Sequence, residues 1–340
     1  MKIVDIIYIY YKPTTANGIL VIVNNLRDAF ERNGYKCLLI TSLDGIPKNA
    51  FVIPYALEPA IELIRNGYKT NVAFMTDAYT LGHLNKIKFY LRRGTIFCYD
   101  FPRSIYCYIQ EGLLERHIVK HFKQIILVSQ VDIEYLKSKY PSQVKYVCVP
   151  NGANFSTVQN KTNANDLRLG MLLSWSHKVL ISENEWLIND YFTKYIKRYP
   201  KTKLILAGRG NYIHKYSNLD GVVVEGEVDD LNDFFKNIDV FLVANPKGCG
   251  ILNRVLDAFV YKTCVLGVKG AFTGFSYMDN SFLEFDSYKS FERNLELLRN
   301  SQSVKQNLID TAYDNISRYN SWVKNYDKLV KELVTLYNLK

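Results

Sequence analysis

The 340-residue chain has no Cys-x-x-Cys pair, no block of five Lys or Arg, no Asp-x-Asp and no apolar run of membrane-spanning length. The first and third absences argue against a redox or zinc motif and against a clustered acidic metal site. The last argues against a transmembrane helix, which needs about 20 apolar residues. Of six cysteines, Cys37, Cys98 and Cys148 lie inside apolar runs, as buried thiols in a reducing compartment would. His117 and His121 stand four apart, but no third ligand is evident among five histidines, so no metal is expected. Met1–Asp5 carries an early acid and leads into a short strand-like run, not the long apolar core of a signal peptide; a cytoplasmic location is expected. No repeat with a period of 20–50 residues is present.

Charge is what the chain has in excess. Forty-three Lys and Arg against 33 acids give a net +10. The basic residues are scattered, so nucleic acid is not an expected partner. Such scatter suits a solvated surface, with peripheral contact to an anionic membrane as the further expectation. Hydrophobic residues at 48% and charged residues at 22% describe a globular chain, and the length suits two domains.

Short apolar runs alternate with amphipathic stretches. Strands are expected at residues 3–9, 37–40, 72–75, 95–99, 125–128 and 144–149, with a helix over 19–33 stopped by Gly34. Pro150-Asn151-Gly152 closes this half, and the polar stretch 156–166 reads as a linker. The alternation restarts with strands at 169–173, 204–207, 222–225, 240–244 and 265–268. Helices are expected near 229–237, 251–261, 287–300 and 303–318, then a last one capped by Ser321. Strands alternating with helices imply parallel sheets covered on both faces, whose ligands bind beyond the carboxyl ends of the strands.

Three turns in such positions carry chemistry. Thr14-Thr15-Ala16-Asn17-Gly18 joins the first strand to the first helix, either as a plain turn or as an anion-binding one. Asn245-Pro246-Lys247-Gly248-Cys249-Gly250 opens the helix beginning at Ile251. Its backbone N–H groups suit a phosphate, Arg254 suits the same anion, and Asp257, on about the same face, suits a ribose diol. Tyr99-Asp100 follows the expected strand at 95–98, so Asp100 is a candidate to orient an acceptor hydroxyl; Asp77 competes for that role, and turn capping remains open for both.

Residues 247–258 and Thr263-Cys264-Val265-Leu266-Gly267 resemble the nucleotide-sugar motif of GT-B glycosyltransferases, especially retaining family 4. Asn17-Gly18, Val128-Ser129, Pro150-Asn151-Gly152, Gly208-Arg209-Gly210 and Val224-Glu225-Gly226-Glu227-Val228 resemble further family segments in the same order, so the likeness spans nearly the whole chain. Glu115-Arg116 is similar to a common Glu-Arg pair that reads as structural. The chain departs from the pattern where an acid often stands eight residues before the Asp257 position: here it is Cys249, and Asp257 replaces the usual Glu. The family's Arg and Lys after the first C-domain strand are represented by Lys178 and His177.

The resemblance implies two Rossmann-like α/β domains with parallel sheets facing across a deep cleft. The N-terminal acceptor domain would span 1–155, the linker 156–166 and the nucleotide-sugar domain 167–318. The final helix, 321–340, would pack back on the first domain through Trp322, Tyr326, Leu329, Val330 and Leu333. It implies metal-independent transfer of a hexosyl group, with retention, from a nucleotide-diphosphate sugar (UDP-sugar first) to a glycan or lipid-linked acceptor in surface polysaccharide or glycolipid assembly. No cofactor is expected. Asp100, Lys178 and Arg254 are the expected catalytic residues. Asn17, Gly18, Gly208, Arg209, Val228, Gly250, Ile251, Leu252 and Asp257 would bind donor. An epimerase of the same fold, or a degenerate nucleotide-sugar or glycan-binding module, are the alternatives.

Overall fold

A computed structural model describes residues 6–13, 17–155, 166–176 and 182–339. The expected linker, apart from Asp166, lies outside these residues, as do His177, Lys178 and the side chain of Asn17.

The first half builds a parallel sheet in two parts. β1 (Ile6–Tyr10) lies between β2 (Lys36–Ile40) and β3 (Phe51–Pro54), and β4 (Val72–Thr76), β5 (Gln124–Leu127) and β6 (Lys145–Cys148) continue it. A parallel bridge between Tyr55 and Phe74 joins the parts, giving the order 2-1-3-4-5-6. Its helices are α1 (Asn17–Arg32), α2 (Leu57–Arg65), α3 (Tyr79–Arg93), α4 (Asp100–His121) and α5 (Gln130–Lys139). α1 forms because Ile22, Val23, Leu26, Ala29 and Phe30 recur on one face, and all five are buried against the sheet.

The second half is a six-stranded parallel sheet. In chain order its strands are β7 (Arg168–Leu172), β8 (Lys203–Ala207), β9 (Val222–Gly226), β10 (Val240–Val243), β11 (Cys264–Val268) and β12 (Leu283–Phe285). Across the sheet they run β12-β11-β10-β7-β8-β9, the doubly wound order whose crevice opens between the first and fourth strands, here β7 and β10. Every residue of β10 and β11 is buried, as strands covered on both faces must be. The helices are α6 (Ser182–Trp186) and α7 (Thr193–Arg198), which flank a π-helical turn at Leu187–Phe192, then α8 (Leu231–Lys236), α9 (Asn253–Val260), α10 (Tyr288–Asn300), α11 (Gln302–Tyr319) and α12 (Trp322–Tyr337).

α12 leaves the second sheet's helices and packs on α1. Trp322, Tyr326, Leu329, Val330 and Leu333 are buried, and the rings of Tyr326 and Phe74 stack at 6.3 Å. Trp322 lies so close to Gly152 that a Cβ there would come within 2.3 Å of the indole. The two chain crossings between the halves are tied to each other: Asn320 donates to the Asn151 carbonyl at 2.7 Å, and the Ala153 N–H donates to the Asn320 carbonyl at 2.8 Å.

One expected strand is absent. Residues 95–99 form a turn between α3 and α4. Gly94, in the left-handed conformation, ends α3, and α4 folds straight back along it. β4 and β5 pair directly, Val72 opposite Gln124, so no strand position exists between them. β3 and β12 have no counterpart among the expected strands.

Candidate active site

The two sheets bring their ligand-binding turns together. In the first sheet the order reverses at β1, which the Asn17–Gly18 turn follows; in the second it reverses at β7 and β10. A Cβ on Gly18 would lie 3.8 Å from Asn253 Nδ2, so the first turn of α1 faces the first turn of α9. Asn151 donates to Asn253 Oδ1 at 2.8 Å from the crossing segment. Neither helix has an acid in its first turn, and no side chain caps α9. Both N-termini therefore present partial positive charge to the cleft.

Arg254 and Asp257 extend from α9. Arg254 reaches the carbonyl of Leu172, at the carboxyl end of β7, over 3.4 Å. Burial lowers its pKa to about 10, so it stays charged at neutral pH. Burial raises the Asp257 carboxyl to about 7. The two do not pair with each other, and no partner for Asp257 occurs among the described residues. A cation and a carboxyl, both partly desolvated and without an ion-pair partner among the described residues, are poised for a ligand that supplies an anion and hydroxyl donors.

The glycine-rich turn differs from the sequence-based picture in two ways. α9 begins at Asn253, two residues later than expected, because Gly248 and Gly250 hold positive φ and Leu252 is extended. The Gly250 N–H is already taken: it donates to Asp132 Oδ2 at 2.8 Å. Asp132 Oδ1 also accepts from the Ala78 N–H at 3.1 Å. Gly250 has no substitute here, since a Cβ would fall 1.9 Å from Asp77 Oδ1. Ile251 is buried and Leu252 half-buried, both packed in the core.

Asp77, directly after β4, thus occupies the strand-end position. Burial, then the neighbouring Asp132, raises its pKa, and Lys247 opposes this. Burial raises Asp132 as well. Cys249 is held beside both carboxyls, and burial pushes its thiol well above the usual value. The strand expected before Asp100 is absent: Asp100 is the buried first residue of α4. Its carbonyl accepts from Ser104 Oγ at 2.7 Å.

Arg209 stands beside an acid that the sequence does not announce. It is exposed and forms an ion pair with Glu227, Nε to Oε1 at 2.9 Å, beside half-buried Val228. Gly208, at φ 121°, closes the end of β8 against the Leu173 carbonyl, where a Cβ would lie 1.9 Å away. Gly18 is exposed at the start of α1. Glu115 and Arg116 do not act as a pair: buried Glu115 accepts from the Thr80 N–H at 3.0 Å, while Arg116 is exposed.

A cavity of about 380 Å³ separates α3 from the second sheet, bordered by Lys88, Phe89, Arg92, Trp186, Pro246 and Lys269. It shares the turn at residues 245–250 with the α9 site. Arg93 also lines it, stacked over Trp186 at 3.7 Å. Glu183 of α6 accepts from Tyr90 at 2.9 Å and Lys86 at 2.5 Å, clamping the halves nearby. Among the described residues one group of metal-type donors converges: His83, Cys107 and Glu111, within 4.8 Å of one another. His83 Nε2 and Glu111 Oε2 already satisfy each other at 2.9 Å.

No family model matches the chain, and no curated protein matches it in sequence. Solved structures do match in three dimensions. Sucrose-phosphate synthase from Thermosynechococcus elongatus aligns over 99% of this chain and 100% of its own, with a TM-score of 0.71 at 10% identity. A trehalose-6-phosphate synthase aligns over 96% and 99%, with a TM-score of 0.62 at 10% identity. HepE of Anabaena, determined in complex with UDP, aligns over 98% and 100%, with a TM-score of 0.60 at 12% identity. At such identities the likeness establishes architecture, and it covers both sheets, the crossings and α12: the chain has the GT-B fold.

Proposed function

We propose that the protein is a glycosyltransferase that moves a sugar from a nucleoside-diphosphate sugar to a glycan or lipid-linked acceptor. One observation carries the reading: desolvated Arg254 and Asp257, with no ion-pair partner among the described residues, stand at the switch point of the second sheet, where the N-termini of α1 and α9 converge. Asp257 would hold the ribose diol. Arg254 and the first-turn N–H groups of α9 would hold the diphosphate, with Lys178 as a second cation. As the bond between the anomeric carbon and the phosphate oxygen breaks, negative charge grows on the leaving diphosphate, and fixed cations stabilise it. In a retaining front-face course the acceptor oxygen bonds to the same face of that carbon, and its proton passes to the departing phosphate oxygen. No separate base and no metal are then required. The solved neighbours support this reading: the trehalose-6-phosphate synthase was studied for glycosyl transfer with retention, and HepE holds UDP.

Cys249 stands where the resembling family often has an acid. Asp77 and Asp132, from the first half, place carboxyls beside Gly250 in its stead. The basic, aromatic cavity beyond this turn suits an anionic acceptor. The degenerate-module reading rests on the same Cys249, and one experiment separates the two. Calorimetry against a panel of nucleotide sugars, UDP-sugars first, is combined with an assay for released nucleotide. Binding with release supports transfer, binding without release on any acceptor supports the module, and no binding refutes both.

A further inference from the structure

Of the seventeen large hydrophobic side chains exposed among the described residues, eight lie between Leu91 and Leu113. Phe97 is 96% exposed, Tyr99 71%, Tyr106 63%, Leu113 60% and Ile109 54%. They are not scattered. Phe97 and Tyr99 occupy the turn before α4, and Tyr106, Ile109 and Leu113 recur on one stripe of that helix. Arg116, His117 and Lys120 prolong the stripe through the last turns, and Arg103 flanks its start; all four are exposed.

The acids of α4 lie on the other side. Asp100 and Glu115 are buried, and Glu111 is paired with His83. The outer face of the helix is thus apolar and basic, with no exposed acid. Such a surface, aromatic at one end and cationic at the other, is complementary to a sheet of anionic headgroups above acyl chains. No helix among the described residues is long and apolar enough to cross a membrane, so the contact is one of lying on the surface.

We propose that the outer face of α4, with the turn at residues 94–99, docks the protein on an anionic lipid bilayer. The aromatic side chains of that turn enter the headgroup region, and Arg103, Arg116 and Lys120 meet lipid phosphates. The cavity containing Lys88 and Arg92 lies at the same end of α3 as exposed Leu91, so an anionic acceptor held in the bilayer reaches it without leaving the surface. This last point rests on the proposed glycosyl transfer; the docking itself does not.

The test is co-sedimentation of the full chain with phosphatidylcholine vesicles, with and without about one-third phosphatidylglycerol, at about 0.1 M salt. Two variants are compared: Phe97→Ser/Tyr106→Ser/Leu113→Ser and Arg103→Glu/Arg116→Glu. All five side chains are exposed, so both variants are expected to keep the circular-dichroism spectrum and urea midpoint of the parent. The parent is expected to bind anionic vesicles, with binding lost at high salt, and each variant to bind about tenfold more weakly or less. Equal binding to neutral vesicles, or undiminished binding by both variants, overturns the proposal. So does a dimer in solution that the triple variant dissociates without any vesicle binding, since the face then joins two copies of the chain. Nucleotide-sugar calorimetry on the same samples separates the two readings. Donor binding without vesicle binding refutes the docking alone, and vesicle binding without donor binding refutes the transferase alone.

Discussion

Replacing Asp257 by Asn tests the donor site through stability and binding together. Burial raises the folded-state pKa of Asp257 from the ordinary 3.8 to about 7. A carboxyl raised in this way contributes stability that is fully present below its unfolded value and is lost as pH rises through the folded value. The window here runs from about pH 4 to about pH 7. The whole displacement corresponds to about 4 kcal/mol at about 1.4 kcal/mol per pH unit. The side chain keeps some water contact in the cleft, so roughly half of that, about 2 kcal/mol, is the expected effect. Asn cannot ionise. Asp257→Asn should therefore match the parent near about pH 4 in urea unfolding and exceed it by about 2 kcal/mol near about pH 8. Donor binding should move the other way. Losing a charged acceptor for the ribose diol should cost roughly 1.5–3 kcal/mol, a loss of about 10- to 150-fold in affinity by calorimetry. Such a trade between stability and function is expected where a site holds a desolvated charge for its ligand. A variant with the parent's pH dependence would show that Asp257 is not desolvated in the fold. A stabilised variant with unchanged nucleotide-sugar affinity would remove Asp257 from the donor site.

Arg254→Ala and Lys178→Ala should lower turnover by about 10²-fold while changing donor binding much less, because leaving-group charge is greatest in the transition state; equal losses in both would assign them to ground-state binding. Activity should persist in EDTA, and a loss restored by magnesium or manganese would refute the metal-free route. Asp132→Ala removes the acceptor of the Gly250 and Ala78 N–H groups and should destabilise the fold by roughly 2–4 kcal/mol in urea unfolding, with Asp132→Asn losing less. Leu329→Ala and Leu333→Ala, at fully buried positions of α12, should each cost about 2–5 kcal/mol; a cost below about 0.5 kcal/mol would contradict the packing of α12 on α1.

The parallel sheets were legible because strands buried on both faces read as apolar runs and the helices between them carry their own periodicity. The same holds for the α12 stripe, whose residues are local to one helix. The Gly248–Gly250 turn before α9 announced itself by composition, and Arg254 and Asp257 followed from helical spacing. What failed was non-local. Residues 95–99 are β-branched and aromatic enough for a strand, but β4 and β5 pair directly and leave it no neighbour. β3 is a short run that becomes a strand only because β1 offers an edge. No spacing rule brings Asp132 to Gly250, 118 residues apart, or announces that Glu227 pairs with Arg209. The sequence by itself determined the alternation of most elements and the glycine-rich turn before α9, since both depend on neighbouring residues. Tertiary structure alone decided which turns face each other across the cleft. It also decided which charges find partners, because those pairings link residues that are distant in the chain.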